Sequence, residues 1–270
     1  MPQPQTELNS YRGLHAARYD LLYADKPYGR EASFIADRVS RLRGGAGPGR
    51  LLDVACGTGR HALELAAMGW QVTGVDYNPE LIERARASAA TRGLQIRFLE
   101  QDMRALDVDG RRFDVVTCLF DSIGYGLQDE AIVATLRGMA THLVSNGVLA
   151  VEFLHAAAVL RHHSPVKVRR LPTPDGGLIL RISETALDRP NQLMHVSYEL
   201  IELRPDGAGY EHATETQSNR FFAPEEMRAM MTRAGLDLHA IVPAYEQDVA
   251  ISDETWHLIA FARRAERGPS

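Results

Sequence analysis

The segment Leu51-Leu52-Asp53-Val54-Ala55-Cys56-Gly57-Thr58-Gly59-Arg60-His61, with Gly74-Val75-Asp76 following it, decides how this chain folds. An apolar run enters a glycine-rich turn, a helical pattern follows, and a second apolar run ends in a lone acid. Glycine at 57 and 59 removes side chains where backbone must turn sharply and approach a ligand. Asp76 falls 17 residues after Gly59, near the separation at which a carboxylate meets both hydroxyls of a ribose. These features describe a cradle for an adenosine-bearing cofactor. Gly57, Gly59 and Ala62 also satisfy the dinucleotide pattern G-x-G-x-x-G/A, so the loop alone fits a nicotinamide or flavin enzyme equally well.

Outward from this segment, strand and helix alternate. Strands are expected at 50–55, 71–76, 95–100, 113–120 and 148–153, and helices at 60–68, 79–92 and 130–143. Asn78 caps the second helix and Pro79 opens it. Strands that are apolar throughout, alternating with helices, indicate a parallel sheet covered on both faces. Upstream, 11–28 is rich in tyrosine, and Phe34, Ile35, Val39 and Leu42 carry a helical pattern to Arg43. The glycine-rich stretch 44–49 reads as a hinge.

After His155 the pattern changes. Strand-like runs at 166–170, 178–186, 193–203 and 212–222 are separated by turn formers such as Thr173-Pro174-Asp175-Gly176-Gly177 and Pro205-Asp206-Gly207. A helix at 224–234, closed by Gly235, precedes two last strands at 238–243 and 255–263. The organisation expected is therefore an N-terminal helical lid at 1–43, with a loose tail at 1–10. A cofactor domain occupies 44–154 and 221–267, and an antiparallel β subdomain at 155–220 is inserted after the fifth strand.

Composition narrows the classes. The 270 residues are 45% hydrophobic and 24% charged, enough apolar material for a substantial core. A net charge of −5 gives no whole-chain footprint for nucleic acid. No apolar run approaches the ~18 residues that a membrane span needs. Residues 1–10 contain no apolar signal region, and the two cysteines lack metal-ligand spacing, so the expectation is a cytoplasmic protein with reduced thiols and no metal. A homodimer is compatible with all of this.

Three further segments separate the possible cofactors. The run L-L-D-V-A-C-G-T-G, Gln101-Asp102-Met103 after the third strand, and Phe113-Asp114-Val115-Val116 opening the fourth resemble class I S-adenosylmethionine-dependent methyltransferases in order and spacing. The resemblance implies an α/β fold with a Rossmann-like, mostly parallel seven-stranded sheet, and S-adenosyl-L-methionine as cofactor. It implies that Gly57 and Gly59 lie against the methionine and ribose parts. Asp53 would fix the loop through its backbone amides or reach the methionine amino group. Asp76 would bind the ribose diol at an exposed strand end, Asp102 the adenine amino group, and the Met103 amide a ring nitrogen. Ala55, Tyr77 and Phe120 flank these positions and join the same set. Tyr11 and Tyr19 are candidates to line the sulfonium pocket, since tyrosine faces hold cations. Asp114 reads as structural. An NAD(P)-dependent oxidoreductase would carry a Tyr-x-x-x-Lys or equivalent pair, which the sequence lacks, and the intact loop argues against a non-catalytic binding module.

Ligands of open α/β sheets bind beyond the carboxyl ends of the strands, which places Phe120-Asp121-Ser122-Ile123-Gly124-Tyr125 and Phe153-Leu154-His155 at the mouth. Asp121, His155 and Tyr125 are the candidate acid–base residues. Each has another reading: Asp121 as a cap, His155 as an ordinary start to the insertion, Tyr125 as packing. Tyr19-Asp20-Leu21-Leu22-Tyr23, C-L-F-D-S-I-G-Y and the β-rich insertion are similar to the small-molecule subgroup containing N,N-dimethyltransferases of nucleotide-linked aminosugars. Those enzymes carry serine where this chain has Asp121. The implied acceptor is an amine on a sugar or similar metabolite, with O-methylation as the alternative. The basic residues Arg161, His162, His163, Lys167, Arg169 and Arg170 are a candidate contact for a diphosphate.

Overall fold

The computed structural model describes residues 11–207 and 209–265, so the tail expected at 1–10 lies outside the described residues. In chain order the elements are α1 (Leu14–Leu22), α2 (Tyr28–Leu42), β1 (Arg50–Val54), α3 (Arg60–Ala67), β2 (Gln71–Asp76), α4 (Pro79–Thr91), β3 (Arg97–Glu100) and β4 (Phe113–Cys118). They continue as α5 (Asp129–Thr141), β5 (Leu143–His155), α6 (Ala156–His162), β6 (Val166–Pro172), β7 (Leu178–Asp188), β8 (Leu193–Leu203), β9 (Tyr210–Phe222), α7 (Pro224–Arg233), β10 (Leu236–Pro243) and β11 (His257–Arg264). Short 3-10 turns follow β3 (Met103–Ala105) and β4 (Ser122–Gly126).

Two compact units result. The core unit holds 27–163, 189–193 and the chain from 219 onward, and the second unit holds the chain up to Lys26 with 164–188 and 194–218. In the core unit the parallel strands lie in the order β3-β2-β1-β4-β5. β11 pairs antiparallel with β5, and β10 with β11. This is the Rossmann-like, mostly parallel sheet that the sequence implies, but its strand count exceeds the seven expected, since the end of β9 also pairs with β5 through Phe221 and Phe222. Alternate residues feed opposite faces. Leu52, Val54, Val116, Leu149 and Val151 pack with α5 and α7, while Leu51, Val115, Val148 and Ala150 pack with α2, α3 and α4. The Asn78 side chain accepts from the amides of Glu80 (2.9 Å) and Leu81 (3.3 Å), and Pro79 opens α4, as the sequence indicates.

The boundary expected at Gly44 is not where the units divide. Ala32, Phe34, Ile35 and Val39 make α2 part of the core cluster, and the division falls after Lys26. An apolar stripe this complete needs a sheet face to cover it. The start of the insertion also belongs to the core unit, as helix α6. The second unit contains α1, β6, β7 and most of the neighbouring β8 and β9, whose residues 193 and 219–222 belong to the core unit, with a small core of Leu22, Leu171, Ile179 and Leu200. No helix among the described residues is long and apolar enough to cross a membrane.

Candidate cofactor and catalytic site

The glycine loop is held open by backbone geometry. Ala55, Gly57 and Gly59 have φ of 56°, 55° and 75°, left-handed conformations that glycine adopts without cost. Two glycines also make room for one ring. A Cβ at Gly59 would sit 2.9 Å from Phe98 Cζ, and one at Gly74 would sit 2.7 Å from the same ring and 2.9 Å from Cys56 Sγ. Asp76 then ties the loop to the end of β2. Its Oδ2 accepts the Gly57 amide at 2.8 Å and its Oδ1 the Asn78 amide at 2.9 Å. Asp76 is 5% exposed, not an exposed strand end. Burial pushes its carboxyl up to about 6, against the amides of Asn78 and Gly57, which pull it down, and with Asp53 adding to the rise.

Asp53 holds a different partner from the loop amides expected for it. It is buried on β1 and accepts the Thr117 hydroxyl at 2.7 Å, so the loop amide belongs to Asp76 instead. Asp102 caps the 3-10 turn through the Arg104 amide at 2.8 Å and is gripped by the Arg104 guanidinium at 2.5–3.0 Å. Burial pushes its carboxyl up, but the Arg104 contacts outweigh it and leave it below the ordinary range. Met103 is partly buried against the main cluster, and Tyr77 lies half-buried beside Asp76. Asp114 is structural: it accepts the Arg50 amide at 2.8 Å and faces Arg43 at 3.1 Å. His61, at the start of α3, meets the buried Glu31 at 2.6 Å.

At the ends of β4 and β5 the fold assembles a cluster from four distant segments. Phe120 and Asp121 both have positive φ, 56° and 58°, an uncommon conformation for residues with side chains and one that surrounding contacts must hold. Glu152, 1% exposed on β5, accepts the Phe120 amide at 2.6 Å and the Tyr245 hydroxyl at 2.5 Å through Oε2. Burial, with Glu152 beside it, pushes the Tyr245 phenol well up, so it stays a donor. Asn219 donates to the Asp121 carbonyl at 3.2 Å. The Asp121 carboxylate faces His257 Nδ1 at 3.0 Å, and Glu152 Oε1 lies 3.5 Å from the same nitrogen. The imidazole is 38% exposed, which makes it the accessible member.

Of the three acid–base candidates, Asp121 joins this cluster. His155 is buried, its Nδ1 meets the Thr255 carbonyl at 2.9 Å, and its amide donates to the Trp256 carbonyl at 2.9 Å, so it ties β5 to the segment before β11. Tyr125 lies half-buried in the 3-10 turn after β4. Sequence reasoning passed over Glu152, Tyr245 and His257. The readable signal was Glu152, a lone acid inside the apolar run Val148–Phe153.

A family model described as a methyltransferase domain matches residues 51–147. Over 84% of this chain and 86% of the relative, the sequence is 31% identical to dTDP-3-amino-3,6-dideoxy-alpha-D-glucopyranose N,N-dimethyltransferase of Streptomyces fradiae. The S-adenosylmethionine-bound amino pentose methyltransferase of Micromonospora echinaspora shares 26% identity at a TM-score of 0.71, with 94% of this chain and 98% of that one covered. This chain belongs to the S-adenosylmethionine-dependent methyltransferases. The methyltransferase is also 30% identical to demethylmenaquinone methyltransferase of Thermus thermophilus, over 83% of its own length and 90% of the relative's.

Tyr11 and Tyr19 of the methyltransferase belong to the second unit, where their rings meet edge to face at 5.2 Å and the Tyr11 amide donates to Glu215 at 2.8 Å. The basic residues considered for a diphosphate are divided between the units, and several are paired: Arg161 with Asp253, His162 with Glu254, Arg169 with Asp25. Both cysteines of the methyltransferase sit in the core unit near its acids. Burial, then Asp76 and Asp53, pushes the Cys56 thiol well up. Burial and the surrounding carboxylates do the same to Cys118.

Proposed function

We propose that this methyltransferase methylates an amine on a sugar or similar small metabolite. The observation that carries the reading is the pairing of Asp121 with the half-exposed His257, backed by the buried Glu152. Bound S-adenosylmethionine would supply an activated methyl group on its sulfonium. The geometry of the glycine loop suits that cofactor, because Gly57 and Gly59 leave backbone unobstructed beside Asp76. Asp76 would take the ribose hydroxyls with acceptor capacity beyond its amides, and Ala55, Gly57 and Gly59 would flank the methionine and ribose. Asp102 and Met103 would meet the adenine, with Tyr77 and Phe120 beside them. Asp53, bound to Thr117, would set the loop's floor.

Methyl transfer is an in-line displacement, so alignment and water exclusion supply most of the acceleration. An amine also has a proton to lose. His257 would take it, while Asp121 and Glu152, both at Nδ1, would stabilise the imidazolium. The two carboxylates suit an acceptor that arrives as an ammonium. Support for the sugar comes from the Streptomyces fradiae relative, which is named for that activity. A small-molecule acceptor is in keeping with the net charge of −5, which gives no whole-chain footprint for nucleic acid.

The test is incubation of the enzyme with S-adenosylmethionine and either a nucleotide-linked aminosugar or the same sugar bearing hydroxyl in place of the amine, read by mass spectrometry. One or two added methyls on the aminosugar alone is the expected outcome. Methylation of the hydroxyl sugar would overturn the amine, and inertness of both would overturn the sugar.

A further inference from the structure

One edge of the core unit's sheet gathers positive charge that the whole-chain balance of −5 conceals. A cavity of about 400 Å³ is lined there by Arg38, Arg41 and Leu42 from the end of α2, His239 from β10 and Arg263 from β11. Among the described residues, none of its three arginines nor His239 pairs with a carboxylate. Arg38 lies over Phe261, its guanidinium carbon 5.9 Å from the ring centroid, and Arg263 donates to the Leu42 carbonyl. Asp237 stands opposite Arg263 in the β10–β11 pairing, yet it does not line the cavity and forms no ion pair among the described residues. The carbonyl end of α2 suits cations, but it carries only about half an elementary charge, too little to balance three guanidiniums.

The cavity lies away from the cluster at Asp121 and His257. β11 runs antiparallel to β5, so His257 stands level with Leu154 at the carboxyl end of β5, and Arg263 with Val148 toward its amino end. Six residues of strand separate His257 from Arg263, roughly 20 Å. Ligands of open α/β sheets bind beyond the carboxyl ends of the strands, so neither the cofactor nor the acceptor proposed above calls on this edge. A second cavity, of about 340 Å³, opens at the amino ends of β1 to β4 beside Arg50, Arg97, Arg111 and Arg112. Acids are at hand there: Asp109 pairs with Arg97 at 2.6 Å, and Asp114 takes the Arg50 amide. The first cavity has no such pairing.

A concave wall lined by one sign of charge concentrates the field and draws in counter-ions. Guanidiniums match phosphate oxygens with paired hydrogen bonds. A volume of about 400 Å³ is that of roughly a dozen waters, room for a chain of phosphates. We propose that this cavity binds a polyphosphate chain, free or carried by a nucleotide, at a site separate from that of methyl transfer. The proposal stands independently of the acceptor proposed above.

Calorimetry on the full chain at about 0.15 M salt, where long-range attraction is screened, tests this with tripolyphosphate, adenosine triphosphate and inorganic phosphate. The demethylated cofactor is kept saturating, so that the adenosine site is closed to the nucleotide. Wild type is expected to bind tripolyphosphate at a single site and inorganic phosphate about tenfold more weakly or worse. Arg41→Glu, at an exposed position, should weaken tripolyphosphate about tenfold or more, with methyl transfer and the thermal midpoint unchanged. Arg41→Gln decides the matter if the charge reversal disturbs α2. Arg112→Glu changes the net charge equally but lines the other cavity, and should leave tripolyphosphate binding as it was. A nucleotide bound more tightly than tripolyphosphate assigns a nucleotide, and one bound equally or less tightly assigns the free chain. Wild type that binds none of the probes, Arg41 variants that bind as tightly, or an equal loss in Arg112→Glu would overturn the proposal. A single-stranded oligonucleotide that binds through Arg41 more tightly than either polyphosphate would overturn it in favour of nucleic acid.

Discussion

At the scale of residues, Asp76 and Glu152 are acids whose surroundings decide their work. Asp76 is legible in sequence, since a lone acid ending an apolar strand after a glycine loop has few other uses. Its burial and its grip on Gly57 are not legible, because they depend on how the loop folds back. Its carboxyl titrates near 6, above the ordinary carboxylate range. The folded state therefore holds a proton that the unfolded chain has released, and the stability contributed by Asp76 is lost as pH rises through about 6. Cofactor binding runs the other way, since the ribose hydroxyls need the ionised acceptor. Affinity for the demethylated cofactor should fall as pH drops below about 6, and Asp76→Asn should flatten that profile; titration calorimetry between pH 5 and pH 8, a window of about one to two units either side of that carboxyl, measures it. Glu152→Gln keeps its amide oxygen on Phe120 N–H and Tyr245 O–H, which share Oε2, and turns its amide N–H toward His257 Nδ1, where Oε1 stood. A buried clash of donors costs about 1–3 kcal/mol, so kcat should fall roughly tenfold with cofactor affinity retained. Equal kcat in steady-state assays would show that the Glu152 charge beside His257 is not used.

Among elements, the parallel strands were readable because they are apolar on both faces, and the helices because of their apolar stripes and the Asn78-Pro79 start. What the sequence hid is long-range. Glu152, Tyr245 and His257 come from β5, the segment after β10, and the first residue of β11, and only the antiparallel pairing of β11 with β5 brings His257 level with Leu154. α2 was assigned to the wrong side of a glycine-rich linker, since a flexible composition marks a bend and not which unit the helix before it joins. Gly74 belongs at this scale as well. Its Cβ would lie 2.7 Å from Phe98 on β3 and 2.9 Å from Cys56 in the loop, so Gly74→Ala must push two elements apart. Overpacking of this kind costs about 1–3 kcal/mol, and thermal unfolding should shift down by several degrees. An unchanged midpoint would mean that Phe98 moves aside freely.

For the molecule as a whole, the residues proposed for the cofactor in the glycine loop, β2 and the turn after β3 lie in the core unit, and Tyr11 and Tyr19 lie in the second. Hydrogen exchange read by mass spectrometry should show the demethylated cofactor protecting 55–59, 76–78 and 101–103. An absence of protection at 55–59 would remove the glycine loop from the site.

The donor proposed to lie against this loop is itself an alkylating agent, and a sulfur stands within the loop at Cys56. A thiolate there would be a rival acceptor, competing for the methyl group at every turnover. Burial, with Asp76 and Asp53 adding to it, keeps that sulfur protonated, so the loop does not present a thiolate to the donor proposed to lie against it.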